Sequence, residues 1–130
     1  IQRLIKKRGI EDKVFLLGYK KNIYSYMQKS SAFVLSSLWE EVGFVIVEAA
    51  LCNSFVISSN CPNGPKEFLD NGKRGILFES NQSKALFNSL KNFSKMDKNK
   101  IFENKLRLKK EAKKYTIFRH YIELNKILEL

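Results

Sequence analysis

Short apolar runs alternate with helix-like stretches along most of the chain. Ile1, Leu4 and Ile5 recur at helical spacing in Ile1–Ile10, and the run Val14–Leu17 then stops at Gly18, predicting a helix followed by a buried strand. Asn22 is placed to cap a short helix with Ile23, Tyr26 and Met27 on one face, so that Tyr26 is expected in the core and Tyr24 on the surface. Ala32–Leu35 reads as a second strand, Gly43–Cys52 as a helix, and Phe55–Ser58 as a third strand. After a loop with Pro and Gly comes a short helix at Lys66–Leu69 and a fourth strand at Gly75–Phe78. Ser83–Leu130 is helical in pattern, with a break at Tyr115 and Thr116 where a new apolar stripe begins: Ile117, Tyr121, Leu124 and Leu128. Either its own sheet or a further domain would cover that stripe.

Strands that are continuously apolar, separated by helices, belong to parallel sheets covered on both faces. The expected class is α/β: a single Rossmann-like parallel sheet flanked by helices. With 130 residues, 44% of them hydrophobic, the chain has material for one core. Residues 1–115 are expected to form that domain and residues 116–130 a C-terminal helix. No run approaches the roughly 20 apolar residues that cross a bilayer, and Ile1–Gly9 lacks the apolar block of a signal peptide. The start in mid-helix predicts a larger protein from which an N-terminal part is missing. Cys52 and Cys61 match no metal spacing and are expected as reduced thiols in a cytoplasmic setting.

In such sheets ligands sit beyond the carboxyl ends of the strands. Three loops qualify: Gly18–Lys21, Ser36–Gly43 and Ser59–Pro65. The second joins a strand end to a helix start and carries two acids, Glu40 in the loop and Glu48 inside an apolar helix. Gly43 would allow close backbone approach, and the amides of Gly43, Phe44 and Val45 would offer the positive end of the helix to a phosphate. A carboxylate within Phe44–Leu51 needs partners. A sugar diol would supply two donors, whereas a backbone amide or a lysine would make Glu48 merely structural. Glu40 could equally be a solvated loop acid or a cap.

Set in Ser36-Ser37-Leu38-Trp39-Glu40-Glu41-Val42-Gly43-Phe44-Val45-Ile46-Val47-Glu48-Ala49-Ala50, the two acids resemble the E-x7-E signature of family 4 (group 1) glycosyltransferases. Val14–Tyr19, Phe55–Ser59, Cys61–Glu67, Asn71-Gly72 and Gly75–Phe78 are similar to that family in the same order, over residues 5 to 80. The resemblance implies the C-terminal, donor-binding half of a GT-B fold. It also implies a retaining transfer of sugar from a nucleoside diphosphate sugar, with no metal held by the protein and no cofactor beyond that donor substrate. Glu40 would act at the donor sugar hydroxyls as the catalytic residue. Glu48 would hold the ribose, the backbone at Gly43 and Phe44 the sugar or diphosphate, and the Gly18-Tyr19 turn the base. The acceptor, an envelope glycan or a lipid-linked chain, would be held by the missing N-terminal domain, and an Arg and a Lys for the diphosphate would lie just upstream of Ile1. Glu41 and Val42 stand where many members carry Gly-Phe, so donor preference does not carry over. Asn53 stands where a Gly usually ends the helix, a substitution that the left-handed position accepts.

The formal charge of +11 is concentrated between Lys91 and Lys114, where ten basic residues face Asp97, Glu103 and Glu111. A solvated helix face explains most such runs. A peripheral contact with the inner face of an anionic membrane is the functional alternative, while the sparse aromatics and the absence of a reading motif argue against nucleic acid. His120 is expected to be structural, and Lys20 and Lys66 to be solvated loop residues. A competing reading from another class is an inactive or split-gene nucleotide-binding or interaction module that needs a separate N-terminal half.

Overall fold

The computed structural model describes residues 1–128, so Glu129 and Leu130, the end of the expected terminal helix, lie outside the described residues. Among the described residues three strands, β1 (Ala32–Leu35), β2 (Phe55–Ser59) and β3 (Ile76–Phe78), form one parallel sheet in the order β1-β2-β3. Ala32 pairs with Phe55 and Leu35 with Ser58, then Ile57 pairs with Ile76 and Ser59 with Phe78. The helices are α1 (Gln2–Arg8), α2 (Tyr24–Lys29), α3 (Phe44–Leu51), α4 (Pro65–Phe68), α5 (Ser83–Ser94), α6 (Lys98–Ala112) and α7 (Ile117–Leu128), with a 3-10 turn at Lys113–Tyr115.

The central strand β2 is buried along its whole length, as a strand covered on both faces must be. Its side chains alternate between two cores. Val56 faces Ile46, Val47, Ala49 and Ala50 of α3, Phe68, Leu69, and Leu108 and Ala112 of α6. Phe55 and Ile57, on the other face, meet Phe78, Ala85, Leu86, Phe93, Met96 and Ile101. The rings of Phe55 and Phe93 lie 4.9 Å apart. The structure thus confirms the α/β class. Asn53 adopts φ 62° just beyond α3, the left-handed position expected of it.

The chain departs from expectation in three places. Val14–Leu17 is not a strand: the segment has no ladder partner, and its side chains are exposed beside α1. Apolar β-formers make a strand only where a neighbour takes up their backbone groups, and among the described residues β1 pairs on one side only, with β2. Tyr26 is exposed, because α2 turns Met27 rather than Tyr26 into the core. The long helical tract breaks a second time, where the Asp97 carboxylate accepts from the amides of Asn99 (2.9 Å) and Lys100 (3.2 Å) and starts α6. Of the two covers open to the stripe Ile117, Tyr121, Leu124 and Leu128, its own sheet is not the one: the stripe is exposed and no residue of α7 is buried. His120 lies exposed on α7, away from the strand-end loops.

Candidate functional site

The carboxyl ends of all three strands are tied together by polar side chains. The Ser37 carbonyl, just past β1, accepts from the hydroxyl of Ser59 at the end of β2 (2.6 Å) and from that of Ser80 beyond β3 (3.5 Å). Asn60 extends the link: its amide donates to the Phe78 carbonyl at 2.8 Å, and its side chain accepts from the Ser80 amide and donates to Glu79, both at 2.8 Å. These bonds fix where each loop leaves the sheet.

From that platform the loop carrying Glu40 rises to α3. The Ser37 hydroxyl donates to Glu40 Oε1 at 2.6 Å, and the Asn63 side chain donates to the Glu40 carbonyl at 3.3 Å. Gly64 lies directly against the Val42 peptide, where a Cβ would collide with the Val42 carbonyl group. The Ser59–Pro65 loop therefore clamps the Glu40 loop from below. Gly43 then takes φ 68°, a left-handed conformation that favours glycine, and starts α3. No side chain caps this helix, and the amides of Gly43, Phe44 and Val45 have no partner among the described residues. The helix end thus keeps unpaired donors and its positive dipole end, which suit an anion. Phe44 stands exposed beside it, with Leu38, Trp39 and Val42 along the same rim.

Glu48 is half-buried, one and a half turns into α3. The Tyr24 hydroxyl donates to its Oε1 at 3.4 Å. The Glu48 carboxylate also holds the Tyr24 pKa above its ordinary value of 10.0 by charge repulsion of the phenolate, with desolvation adding to the shift. No lysine or arginine is paired with Glu40, Glu41 or Glu48 among the described residues. The lysine-satisfied alternative for Glu48 is therefore not what the fold builds.

Glu40, Gly43, Phe44 and Glu48 are thus carried by one loop and the helix that follows it. Gly18 and Tyr19 are not held with them. Tyr19 is 92% exposed, and neither residue hydrogen-bonds to Glu40, Glu48 or α3. Lys66 lines a shallow pocket with Asn63, Glu67 and Asn71, while Lys20 is exposed. Sequence pattern does not mark Ser37, Ser59, Asn60 or Gly64 as supports of the site, and it places Tyr24 simply on the surface. Only the three-residue spacing of Ser37 and Glu40, typical of local side-chain capping, could have been read in advance. Cavity size does not locate this site: a cavity of about 640 Å³ lies at the opposite, amino-terminal edge of the sheet, between Gly72, Ile76 and Asn104. The acids stand on an open face at the strand ends, where ligands of parallel sheets bind.

Comparison with known proteins agrees with this architecture. Residues 1–115 match the family model described as glycosyl transferases group 1. A Campylobacter jejuni enzyme is 32% identical over 110 residues, 84% of this chain and 30% of its own length. It is named N-acetylgalactosamine-N,N'-diacetylbacillosaminyl-diphospho-undecaprenol 4-alpha-N-acetylgalactosaminyltransferase. Among solved structures, Anabaena HepE in complex with UDP superposes with a TM-score of 0.85 at 23% identity, covering 99% of this chain and 36% of HepE. The C-terminal domain of a group 1 glycosyl transferase from Francisella tularensis superposes with a TM-score of 0.75 at 20% identity, covering 89% of this chain and 60% of that one. The chain spans about a third of the length of full-length relatives such as the first two. By family model, relatives and fold together, it belongs to the group 1 glycosyl transferases, with the sheet and helices of a GT-B half.

Proposed function

We propose that this chain is the donor half of a retaining glycosyltransferase, binding a nucleoside diphosphate sugar at the start of α3. The observation that carries the reading is the combination of an uncapped helix N-terminus with two carboxylates, Glu40 and Glu48, that no cation among the described residues pairs with. The amides at Gly43 and Phe44 suit the diphosphate. Glu48 accepts from the ribose diol. Glu40, oriented by Ser37, accepts from the donor sugar and acts where charge develops at its reacting carbon. The Gly18-Tyr19 turn covers the base once the segment before it is held in place. In this reading no metal held by the protein takes part. Residues 1–115 are the donor domain, and α7 returns to a separate acceptor domain.

An acceptor class of envelope glycans or lipid-linked sugars follows from the kind of molecule named for the Campylobacter jejuni relative. An acceptor of that kind would be met at the inner face of a membrane, and the excess of lysine suits a peripheral contact with that anionic surface. Among the described residues no helix is long and apolar enough to cross a membrane. The open position of the Gly18-Tyr19 turn favours a second reading, a nucleotide-binding or interaction module that works only beside a separate N-terminal half. Calorimetric titration with UDP, GDP and their sugar conjugates decides between them. Binding of one diphosphate series supports the donor site and identifies its base. A folded chain that binds none shifts the weight to the second reading.

A further inference from the structure

Helix α6 presents a side that neither the core nor the candidate site uses. Its inward side, Ile101, Asn104, Leu108 and Ala112, is buried or half-buried against the sheet and α3. Phe102 and Leu106, one helical turn apart, fall together on the outward side and are 59% and 51% exposed. Lys98, Lys105 and Lys109 border this pair on one flank and Lys110 on the other. None of these four lysines is ion-paired among the described residues. Both acids of the helix are already engaged, Glu103 with Arg107 at 3.8 Å and Glu111 with Arg74 at 3.3 Å and Lys114 at 2.9 Å.

A single exposed apolar side chain on a soluble protein means little. A pair on the crest of a helix, bordered on both sides by unpaired lysines, is different. That pattern suits a helix lying in the plane of a lipid surface: the apolar groups enter the headgroup boundary, and the lysine stems reach along them to bring ammonium groups to lipid phosphates. Charge complementarity selects the occupant, because a chain of net charge +11 gains most on an anionic surface.

We propose that the outward side of α6, centred on Phe102 and Leu106, seats this chain on an anionic lipid surface. The assignment rests on the membrane contact proposed above and is independent of donor binding. Since α6 packs against α3, the seat would also set the orientation of the helix that carries Glu48 relative to the bilayer.

Co-sedimentation of the 130-residue chain with phosphatidylcholine vesicles, with and without phosphatidylglycerol, tests it. The chain is expected to bind the anionic vesicles only, less as salt rises. The Phe102→Ser/Leu106→Ser variant is expected to bind at least about tenfold more weakly, and replacement of the four lysines by Gln to have a similar effect. The α7 variant Ile117→Ser/Tyr121→Ser should bind as wild type. Circular dichroism checks that each variant is folded, and Phe102→Trp in a Trp39→Phe background should shift its emission to the blue on vesicles.

Each contrary result overturns a distinct claim. No binding to anionic vesicles removes both the seat and the membrane contact, while nucleotide titration still stands or falls by itself. Binding lost in the α7 variant but kept in the α6 variant moves the contact off α6. Binding that the apolar variant keeps, that RNA displaces, or that leaves the emission of the Phe102→Trp variant unchanged shows a general polyanion contact and overturns insertion.

Discussion

The hydroxyl of Tyr24 donates to the carboxylate of Glu48, joining α2 to the helix that opens onto the candidate donor site. The bond spans 24 positions of sequence. It gives Glu48 a neutral partner, which orients the carboxylate without neutralising it. Its other acceptor positions stay available to a ligand diol. Tyr24→Phe should leave the fold intact and weaken nucleoside diphosphate binding about two- to tenfold, the share of one hydrogen bond. Calorimetry of the two proteins side by side checks this, and unchanged affinity would remove Tyr24 from the site.

The same pair predicts a pH dependence. The folded-state pKa of Tyr24 is raised above 10.0, chiefly by the Glu48 charge. The hydrogen bond therefore contributes fully below pH 10 and is lost as pH rises through the folded value. Affinity for the diphosphate should not change with Tyr24 ionisation near neutrality and should fall in the alkaline range, a fall that Tyr24→Phe abolishes. Tyr115, whose pKa is raised by burial and then by Glu67 and Glu111, and which packs edge-on against Phe68 at 5.7 Å, provides a control. Absorbance titration should show that Tyr24→Phe and Tyr115→Phe each remove one high-titrating phenol, yet only the first should alter binding.

Gly64 is predicted to be the most sensitive position outside the acids. Any side chain there meets the Val42 carbonyl and must displace the loop that holds Glu40. Gly64→Ala should cost about 2–4 kcal/mol in urea unfolding, combining a clash with a disfavoured backbone conformation. In any fraction that still folds, it should reduce donor affinity further than the stability loss explains. A neutral substitution would show that the two loops move apart freely.

Arg74 and Glu111 hold α6 to the turn before β3. They are 25% and 16% exposed and 3.3 Å apart, and Arg74 also donates to the Phe68 carbonyl at 3.0 Å. Leaving either partner alone in this half-buried place should cost about 1–3 kcal/mol. Arg74→Ala and Glu111→Gln should each lower the thermal midpoint, and the double variant should lose less than the sum of the two.

The buried run Phe55–Ser58 and the apolar helix after Gly43 were legible because each is dictated by burial on all sides, which one stretch of sequence can express. Val14–Leu17 has the same composition as a strand, yet strand formation depends on a neighbour that composition cannot specify. Periodicity around Tyr26 and Met27 marked a helix without saying which of the two adjacent residues would turn inward. Glu40 and Glu48 were visible through their spacing and frame. Their supports were not: the Tyr24 hydroxyl and the Asn63-Gly64 clamp arrive from more than twenty positions away. The break at Asp97 was written in a short capping residue, and the surrounding lysines concealed it.

The central claim is that Glu48 takes the ribose of a nucleoside diphosphate. Its most direct test is a calorimetric cycle: wild type and Glu48→Gln, each titrated with the diphosphate that the chain binds and with its 2′,3′-dideoxy analogue. The account predicts that removing the two hydroxyls weakens wild-type binding by more than about tenfold and has little effect in Glu48→Gln. An equal penalty in both proteins would place the ribose elsewhere and contradict the assignment.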